Sequence, residues 1–460
     1  MAAVATLDKI VSLCKRRGFV FPGSEIYGGL ANTWDLGPLG VELKNNIHQL
    51  WWKFFVHSRL DMVGIDAAIL MNPRVWEASG HVASFNDAQV DCKECKARLR
   101  ADHLIEDVLH IKVEGLAVED LSKIIRDNKI VCPECGKHNF TDVRKFNLLF
   151  RTSIGTLEDG GSEVYLRSEL AQSMFTNFKL VQETMRKKLP FGIAQAGKCF
   201  RNEITPGNFI FRTLEFDLME FEYFMHERDW QTHFDYWLSQ MYAWLDVVGI
   251  SKEKTRVREH TKEELSHYSK KTVDIEFETP FGWKELYGLA YRTDFDLRNH
   301  MEKSGIDLRY FEQESGEKFI PHVIEPTFGL SRSILMTILS AYDEDEAPTA
   351  EGEAEKRIVL RLKPEVAPFK VAVLPLSAKL NDGARAVWEG VARSFHADFD
   401  VTGSIGKRYR RHDEIGTPYC VTFDFQSLED QAVTIRDRDS MKQERIGISE
   451  IEGYLREYVG

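Results

Sequence analysis

One stretch limits what this chain can fold into more than any other: KCFRNEITPGNFIFRTLEFDLMEFEYF, residues 198–224. Aromatic and β-favouring residues run on either side of TPGN, a hairpin turn signal, so 185–224 reads as a long antiparallel hairpin. Arg201 and Glu203 alternate with Phe200 and Asn202 and share one face of a strand. Downstream, Leu214, Phe216 and Leu218 share one parity, with Glu215 and Asp217 on the other. Beyond Leu218 the pattern inverts: Met219, Phe221 and Tyr223 are apolar, with Glu220 and Glu222 opposite. Such a flip marks a bulge or a strand buried on both faces. Arginines at the start and four carboxylates at the end suit a ligand with anionic and cationic parts. A solvated sheet edge with cross-strand ion pairs uses the same residues, and the stretch alone does not choose.

A second segment adds to the first. In EPTFGLSR (325–332), Gly329 precedes a helix whose first turn carries Arg332. The surrounding HVIEPTFGLSRSILMTILSAY reads as strand, glycine turn and helix, with Leu330, Ile334, Leu335, Ile338, Leu339 and Tyr342 on the apolar face. Helix N-termini and arginines both favour phosphate oxygens. The chain has no GxxxxGK[ST], and no GxGxxG followed by a ribose-binding acid, which closes the P-loop and Rossmann routes. An arginine on a hairpin and another opening a helix is a different way to hold a nucleoside triphosphate.

The rest of the chain sets the organisation. Its 460 residues predict two or three domains. GPLGVELKNNIHQLWWKFFV reads as a helix over 39–56, with Leu43, Ile47, Leu50, Trp51, Phe54 and Phe55 on one face. TVDIEFETPFGWKELYGLAYRTDFDL reads as two strands around a Pro-Phe-Gly bend. DEDEAPTAEGEAEK (343–356) reads as a solvated acidic linker. After it the strands KVAVLPL, DFDVTG, YCVTFDF and QAVTIRDR and the helices ARAVWEGVARSF and SEIEGYLREYV predict a small α/β domain. The absence of a signal peptide or a run of about 18 apolar residues predicts a cytosolic protein. A net charge of −12 excludes a generic polyanion binder, so any nucleic-acid contact must come from a local basic patch.

Four of the seven cysteines form two CxxC pairs, Cys92 with Cys95 and Cys132 with Cys135. Two such pairs supply four thiolates tetrahedrally to zinc, and a site closed by four sulfurs is structural. No thioredoxin-like context supports a redox role. Cys14, Cys199 and Cys420 sit beside apolar or aromatic residues and read as buried, inert thiols.

FRNE…FRTLEF resembles motif 2 of class II aminoacyl-tRNA synthetases, GLSR ahead of an amphipathic helix resembles motif 3, and GPLGVELKNNIHQLWWKFFV resembles motif 1, the dimer helix. More narrowly, DLGPLGVELKNNI, RADHLIE, GKCFRNEITPGNFIFRTLEF, YRTDFDL, VIEPTFGL and GSIGKRYRRHDEIGTPYCVTFDF resemble the dimeric glycyl-tRNA synthetase family, from about Leu7 to the C-terminus. The resemblance implies an α+β fold. Its parts are a class II antiparallel catalytic sheet flanked by helices (1–342), a zinc-bearing insertion (85–146), the acidic linker (343–356) and a C-terminal α/β domain like the anticodon-binding domain (357–460). It implies ATP-dependent ligation of glycine to tRNA(Gly) through glycyl-adenylate, with ATP and Mg²⁺, structural Zn²⁺ and a homodimer. The aromatic surface of Trp51, Trp52, Phe54 and Phe55 fits that dimer, with a core helix as the plain alternative.

Residue by residue, the resemblance makes Arg201, Glu203 and Arg332 the catalytic set, with Arg201 on the α-phosphate and Arg332 near the γ-phosphate. Glu203, Phe211, Arg212, Thr213, Leu214, Glu215 and Phe216 match the adenine and ribose surround, and Asn202 is a further ATP contact. Glu285, Leu286, Gly329, Leu330 and Ser331 complete the ATP contacts. The glycine pocket it implies comprises Arg100, Glu169, Phe216, Asp217, Leu218, Met219, Glu220, Glu325, Pro326, Thr327, Phe328 and Gly329. In the C-terminal part, Lys407, Arg408, Arg410 and Arg411 would neutralise tRNA phosphates and Tyr409 would stack a base. The chain departs from the family at LRSELAQSMF, where Ser168, Leu170 and Ser173 replace the usual proline, threonine and glycine. It also carries Ala196 for a larger aliphatic residue and Thr327 for serine. An enzyme for another small amino acid and a non-catalytic nucleic-acid-binding paralogue are the competing expectations; retained Arg201, Glu203 and Arg332 weigh against the second.

Overall fold

The computed structural model describes residues 6–459 except 114, 156–161, 205–206, 263, 267 and 349–353. Seven strands form its central sheet: β1 (Met62–Gly64), β2 (Phe191–Phe200), β3 (Glu215–Met225), β4 (Thr255–Glu259), β5 (Lys271–Thr279), β6 (Gly282–Thr293) and β7 (His322–Gly329). Their order across the sheet is β4-β5-β6-β7-β3-β2-β1, and all neighbours are antiparallel except β1 with β2. Five helices cover it: α1 (Pro38–Trp52), α2 (Ala171–Thr184), α3 (Trp230–Val248), α4 (Phe295–Ser304) and α5 (Leu330–Ala341).

The alternation along β3 explains why both faces are covered. Met219, Phe221, Tyr223 and Met225 enter one core with Leu43, Ile47 and Trp51 of α1, Phe234 and Trp237 of α3, and Ile334 and Ile338 of α5. Leu218 and Phe224 enter a second core with Met174, Phe175 and Phe178 of α2 and Leu297 of α4. β2 and β3 keep one register from Glu215↔Phe200 to Phe224↔Phe191. The inverted polar pattern is therefore a strand buried on both faces, with no bulge in that pairing. Glu220 and Glu222 lie within the second apolar layer.

Tight packing sets the start of α1. Pro38 occupies its first turn, and a Cβ on Gly40 would stand 1.9 Å from the Phe19 carbonyl oxygen. Leu43, Ile47, Trp51 and Phe55 are wholly buried inside the protomer. This corrects the view of Trp51 and Phe55 as surplus aromatic surface; only Trp52 and Phe54 are half-buried. The helix continues past Trp52 as a π-helical turn, Lys53–His57.

The hairpin expectation at TPGN needs revision. Thr205 and Pro206 lie outside the described residues, and the strands stop at Phe200 and resume at Glu215. Between them runs a loop with a 3-10 turn, Phe209–Phe211. Arg201 and Glu203 thus sit on a loop, where the Glu203 N–H donates to the Arg201 carbonyl at 2.8 Å.

The segment around the cysteines forms a three-stranded sheet of Asn86–Asp91, Arg98–Arg100 and Arg144–Asn147 with two helices. It has its own core of Val90, Leu104, Ile105, Leu121, Ile125 and Val143. Of the stretch read as a solvated linker, residues 349–353 lie outside the described residues and the rest is paired: Tyr342–Pro348 runs antiparallel to Ala354–Leu360. Asp343, Glu344 and Asp345 meet nearby cations. Arg357 meets Asp345 at 2.5 Å and Asp413 at 3.2 Å, Arg361 meets Asp343 at 3.0 Å, and Lys9 meets Glu344 at 2.6 Å. Counting like charges along the sequence misses these partners. Beyond it, Val371–Pro375, Ala397–Phe399, Tyr419–Phe423, Ala432–Asp437 and Gln443–Gly447 make a mixed five-stranded sheet. Among the described residues, no helix is long and apolar enough to cross a membrane.

Candidate active site

An open cleft with about 640 Å³ of empty space lies over the C-terminal end of β7. Into it face Arg201, Glu203, Arg212, Phe216, Glu285, Thr327 and Arg332, together with Phe211, Thr213, Asp217, Leu218, Leu286, Gly329 and Ser331. The loop after β2, β3, β6 and the β7–α5 junction thus bring most of the expected nucleotide residues to one place. Arg332 contacts the Glu285 carboxylate at 3.0 Å and lies 4.6 Å from the centre of the Phe211 ring. Arg201 donates from Nε to the Ser168 carbonyl at 3.2 Å, between the rings of Phe85 and Phe216. Arg212 stands 3.9 Å from Glu203. Asn202, Leu214, Glu215 and Leu330 are not in the lining. Leu330 is buried in the first core, and Glu215 pairs with Lys198 at 2.8 Å.

Asp217 shares Lys198 at 3.3 Å and reaches Lys44 at 2.8 Å. The ion-pair reading therefore holds for the first half of β3. The second half is different. Glu220 is buried and accepts from the Leu170 N–H at 3.0 Å and the Thr327 hydroxyl at 2.8 Å. Glu325 accepts from Arg292 at 2.8 Å. Glu169 accepts from Gln172 at 2.9 Å and lies 3.2 Å from His81 Nε2 and 3.9 Å from Arg292. Met219 and Phe328, expected in this pocket, face the opposite core with Trp51 and Phe221, because odd residues of β3 and their neighbours on β7 point that way. Arg100 is also outside the lining. Asp102 holds it at 2.5 and 3.1 Å and Asp87 at 3.0 Å, on the sheet of the cysteine segment.

The departures at LRSELAQSMF keep this geometry. Glu220 is held by the backbone N–H of residue 170, so leucine serves as well as threonine there, and the Leu170 side chain packs in the second core. The Ser173 hydroxyl donates to the Leu170 carbonyl at 2.6 Å.

The charges are unbalanced. Burial would raise Glu169, but His81 and then Arg292 hold it below the ordinary carboxylate range. Burial, reinforced by Glu169, raises Glu220. Burial pushes Glu325 up to about 8 against the pull of Arg292, and burial followed by Glu325 drives Glu222 well above the usual value. Sequence reasoning missed His81, Gln172, Arg292 and Asp296. Arg292 and Asp296 lie in YRTDFDL, a stretch that carried the resemblance without a role. Gln172 lies in LRSELAQSMF, the stretch compared with the family pattern, without a role there; nothing local marked His81.

The four cysteine sulfurs lie within 4.8 Å of one another, with Cys92–Cys135 at 3.6 Å and Cys95–Cys132 at 3.7 Å. Tetrahedral zinc at about 2.3 Å from each sulfur requires S···S separations of about 3.8 Å. The two turns are alike. Lys96 and Gly136 donate to the Cys92 and Cys132 carbonyls at 3.0 and 2.8 Å, both in the left-handed region. The residues present fit the metal.

In the C-terminal sheet's helix Ile405–Ile415, Arg408 is buried and donates to the carbonyls of Pro375 at 2.7 Å and Asp400 at 3.0 Å. The Tyr409 hydroxyl meets Thr422 at 2.5 Å. Both side chains, expected at tRNA, are engaged with partners inside the C-terminal unit. Lys407 is exposed; Arg410 and Arg411 are half-exposed, with Asp413 and Asp400 beside them.

This sheet, with arginines converging from a loop and a helix start, defines a class II aminoacyl-tRNA synthetase core. Residues 150–342 match the tRNA synthetase class II core domain (G, H, P, S and T), residues 370–458 the anticodon binding domain, and residues 109–148 the glycyl-tRNA synthetase insertion domain 1. Among its relatives, a glycine–tRNA ligase of Caldanaerobacter subterraneus subsp. tengcongensis is 57% identical over 99% of both chains. One of Geobacillus thermodenitrificans is 57% identical over 98% of this chain and 97% of its own. One of Alkaliphilus oremlandii is 55% identical over 99% of both. The chain belongs to the glycine–tRNA ligase family.

Arg292 is, among the described residues, the one arginine paired with Glu169, Asp296 and Glu325. Arg292→Gln should destabilise the fold by about 3–5 kcal/mol, as removal of one partner from a buried ion pair does. Glu325, held at about 8 by burial against the pull of Arg292, would lose that pull and rise further. Above about pH 8 it would keep a proton that the wild type and the unfolded chain have both lost, so the variant's stability falls further as pH rises. Denaturant unfolding should show the deficit widening above about pH 8; a deficit that stays constant there would contradict this account.

Proposed function

We propose that the chain ligates glycine to tRNA(Gly) in two ATP-dependent steps, with glycyl-adenylate as the intermediate. One observation carries this reading: one cleft has an arginine-lined mouth, Arg201, Arg212 and Arg332, and is also lined by Thr327, whose hydroxyl donates to the buried Glu220; Glu220, Glu169 and Glu325 stand beyond the lining. Anionic phosphates suit one end and a cationic amino group the other. Family membership supports ATP-dependent aminoacylation of tRNA with glycine.

In the first step the glycine carboxylate attacks the α-phosphorus and pyrophosphate leaves. The protein needs no nucleophile of its own. Arg201, anchored through Nε to the Ser168 carbonyl and flanked by Phe85 and Phe216, is held to meet charge on the α-phosphate. Arg332 meets the far phosphates. Glu203 and Glu285 are the carboxylates of the cleft that can meet the Mg²⁺ carried with ATP, which offsets phosphate charge. Glu169, Glu220 and Glu325 receive the ammonium of glycine. Filled space around them rejects a β-carbon, an easier selection than excluding something smaller. In the second step the terminal ribose hydroxyl of tRNA takes the glycyl group.

The remaining parts of the reading have separate supports. Zinc in the four-cysteine site would hold the two turns of the insertion together. Half-exposed Arg410 and Arg411, with Lys407, are the surface cations for tRNA in the C-terminal unit. The groove of His48, Gln49, Trp52, His57, Ile65, Asp66 and Ala196, next to α1, supports a homodimer, which light scattering reads directly. The reaction itself carries a cytoplasmic location.

Amino-acid-dependent pyrophosphate exchange over all twenty amino acids tests the core reading, and exchange with alanine or serine in place of glycine would redirect it. Arg201→Ala should cut glycine-dependent exchange by about a hundred- to a thousand-fold, the cost of one lost charge-stabilising donor. A change under about threefold would remove Arg201 from the transition state. Metal analysis should find about one zinc per chain, the four-thiolate stoichiometry. Cys132→Ser should lose it and loosen the insertion, whereas a metal-free, fully folded and active protein would refute the zinc. Arg410→Ala with Arg411→Ala should lower aminoacylation and flatten its salt dependence while pyrophosphate exchange stays at the wild-type rate; a parallel fall in both would place these arginines in the fold.

A further inference from the structure

We propose that Glu222 holds a proton in the free protein and that the ammonium group of glycine displaces it on docking. The inference rests on the reading that this ammonium binds among Glu169, Glu220 and Glu325. It starts from a carboxylate that the mechanism leaves unused. Glu222 is 0% exposed, and among the described residues neither of its oxygens has a hydrogen-bond partner. Glu220 pairs with Thr327 and Tyr223 with Ile324, so the same register sets Glu222 directly opposite Glu325 across β3 and β7. Its neighbour on β2 is Ile193, which offers no donor. One oxygen from each of Glu220, Glu222 and Glu325 lies within 4.8 Å of the others.

The groups facing this point come from every packed element. β3 gives Glu220, β7 gives Glu325 and β6 gives Arg292. The start of α4 gives Asp296, and Glu169 stands ahead of α2 with His81 beside it. Arg292 is already shared among Asp296 at 2.8 Å, Glu325 at 2.8 Å and Glu169 at 3.9 Å. It makes no ion pair with Glu222 among the described residues. Like charges directly opposite on neighbouring strands repel, and an ionised carboxylate without donors in an apolar layer takes up a proton instead. Its raised affinity for that proton, from burial and then Glu325, agrees with the geometry.

Docking of the ammonium changes this balance. It brings one positive charge to Glu220 and Glu325, so the Glu222 O–H bond breaks heterolytically and the proton passes to solvent. The net charge of the cluster is unchanged by the exchange. Because binding releases a proton, glycine affinity must rise with pH, by up to about tenfold per unit, until the ammonium of glycine itself titrates.

The test is calorimetric titration of the full-length protein with a non-hydrolysable glycyl-adenylate analogue, in buffers of low and high ionisation enthalpy at one pH. Wild type should show buffer-dependent heat corresponding to release of up to about one proton per site, the most one carboxyl can give. Glu222→Gln should release less, keeping only what Glu325, itself raised to about 8, gives up. In glycine-dependent pyrophosphate exchange, the KM for glycine of wild type and Glu222→Gln should converge at low pH and separate as pH rises, with kcat moving little. Buffer-independent heat in wild type overturns the proposal without needing any variant to fold. Equal release in the variant assigns the proton elsewhere and overturns it too. An analogue that does not bind at all sinks the glycine reading, and this inference with it.

Discussion

The guanidinium of Arg292 organises the interior around the cleft. It leaves β6 with no exposed surface to speak of and meets Glu325 on β7, Asp296 on α4 and Glu169 ahead of α2. The sheet and the two helices of its second face are thereby tied through one ion. In a low-dielectric layer such pairs are strongly directional, and a missing partner is expensive. Arg292 therefore does more than fill space: it sets where Glu325 and Glu169 present their free oxygens. It also leaves the cluster short of positive charge, since Glu220 relies on a backbone N–H and a hydroxyl, and Glu222 on nothing among the described residues. A buried cluster with surplus carboxylates is the feature on which the proposed ammonium site rests.

The same two strands carry the cleft from that pocket to its opposite pole. β3 begins beside the loop that bears Arg201 and Arg212, and β7 ends at Gly329, where α5 starts and Arg332 projects. A ligand lying along them meets guanidinium groups at one end and carboxylates at the other. In the proposed reaction an amino acid and a nucleoside triphosphate would thus be oriented before any bond changes, which is where positioning contributes most. The departures at Ser168, Leu170 and Ser173 are compatible with this because the decisive contacts there come from backbone atoms: the Ser168 carbonyl to Arg201 and the Leu170 N–H to Glu220.

Much of this was legible without coordinates. The amino-acid sequence by itself determined the strands of the hairpin, the apolar face of α5 and the paired cysteine turns. Each rests on short-range rules: a period of two or 3.6 residues, or the reach of a four-residue turn. The roles of the cleft arginines came with the family resemblance. Only the tertiary structure decided which charges are satisfied. It paired 343–348 with 354–360 and brought Arg357 and Arg361 to the acids of the first strand. It buried Arg408, packed a partly buried Tyr409 against the C-terminal sheet, and left Arg410 and Arg411 half-exposed. It drew Arg100 onto Asp87 and Asp102, brought His81 and Arg292 to Glu169, and set Glu222 opposite Glu325. The physical reason is that a charge has no inherent role along the chain. Its energy depends on burial and on partners a few ångströms away, often hundreds of residues distant in sequence, and only packing and strand register choose those partners.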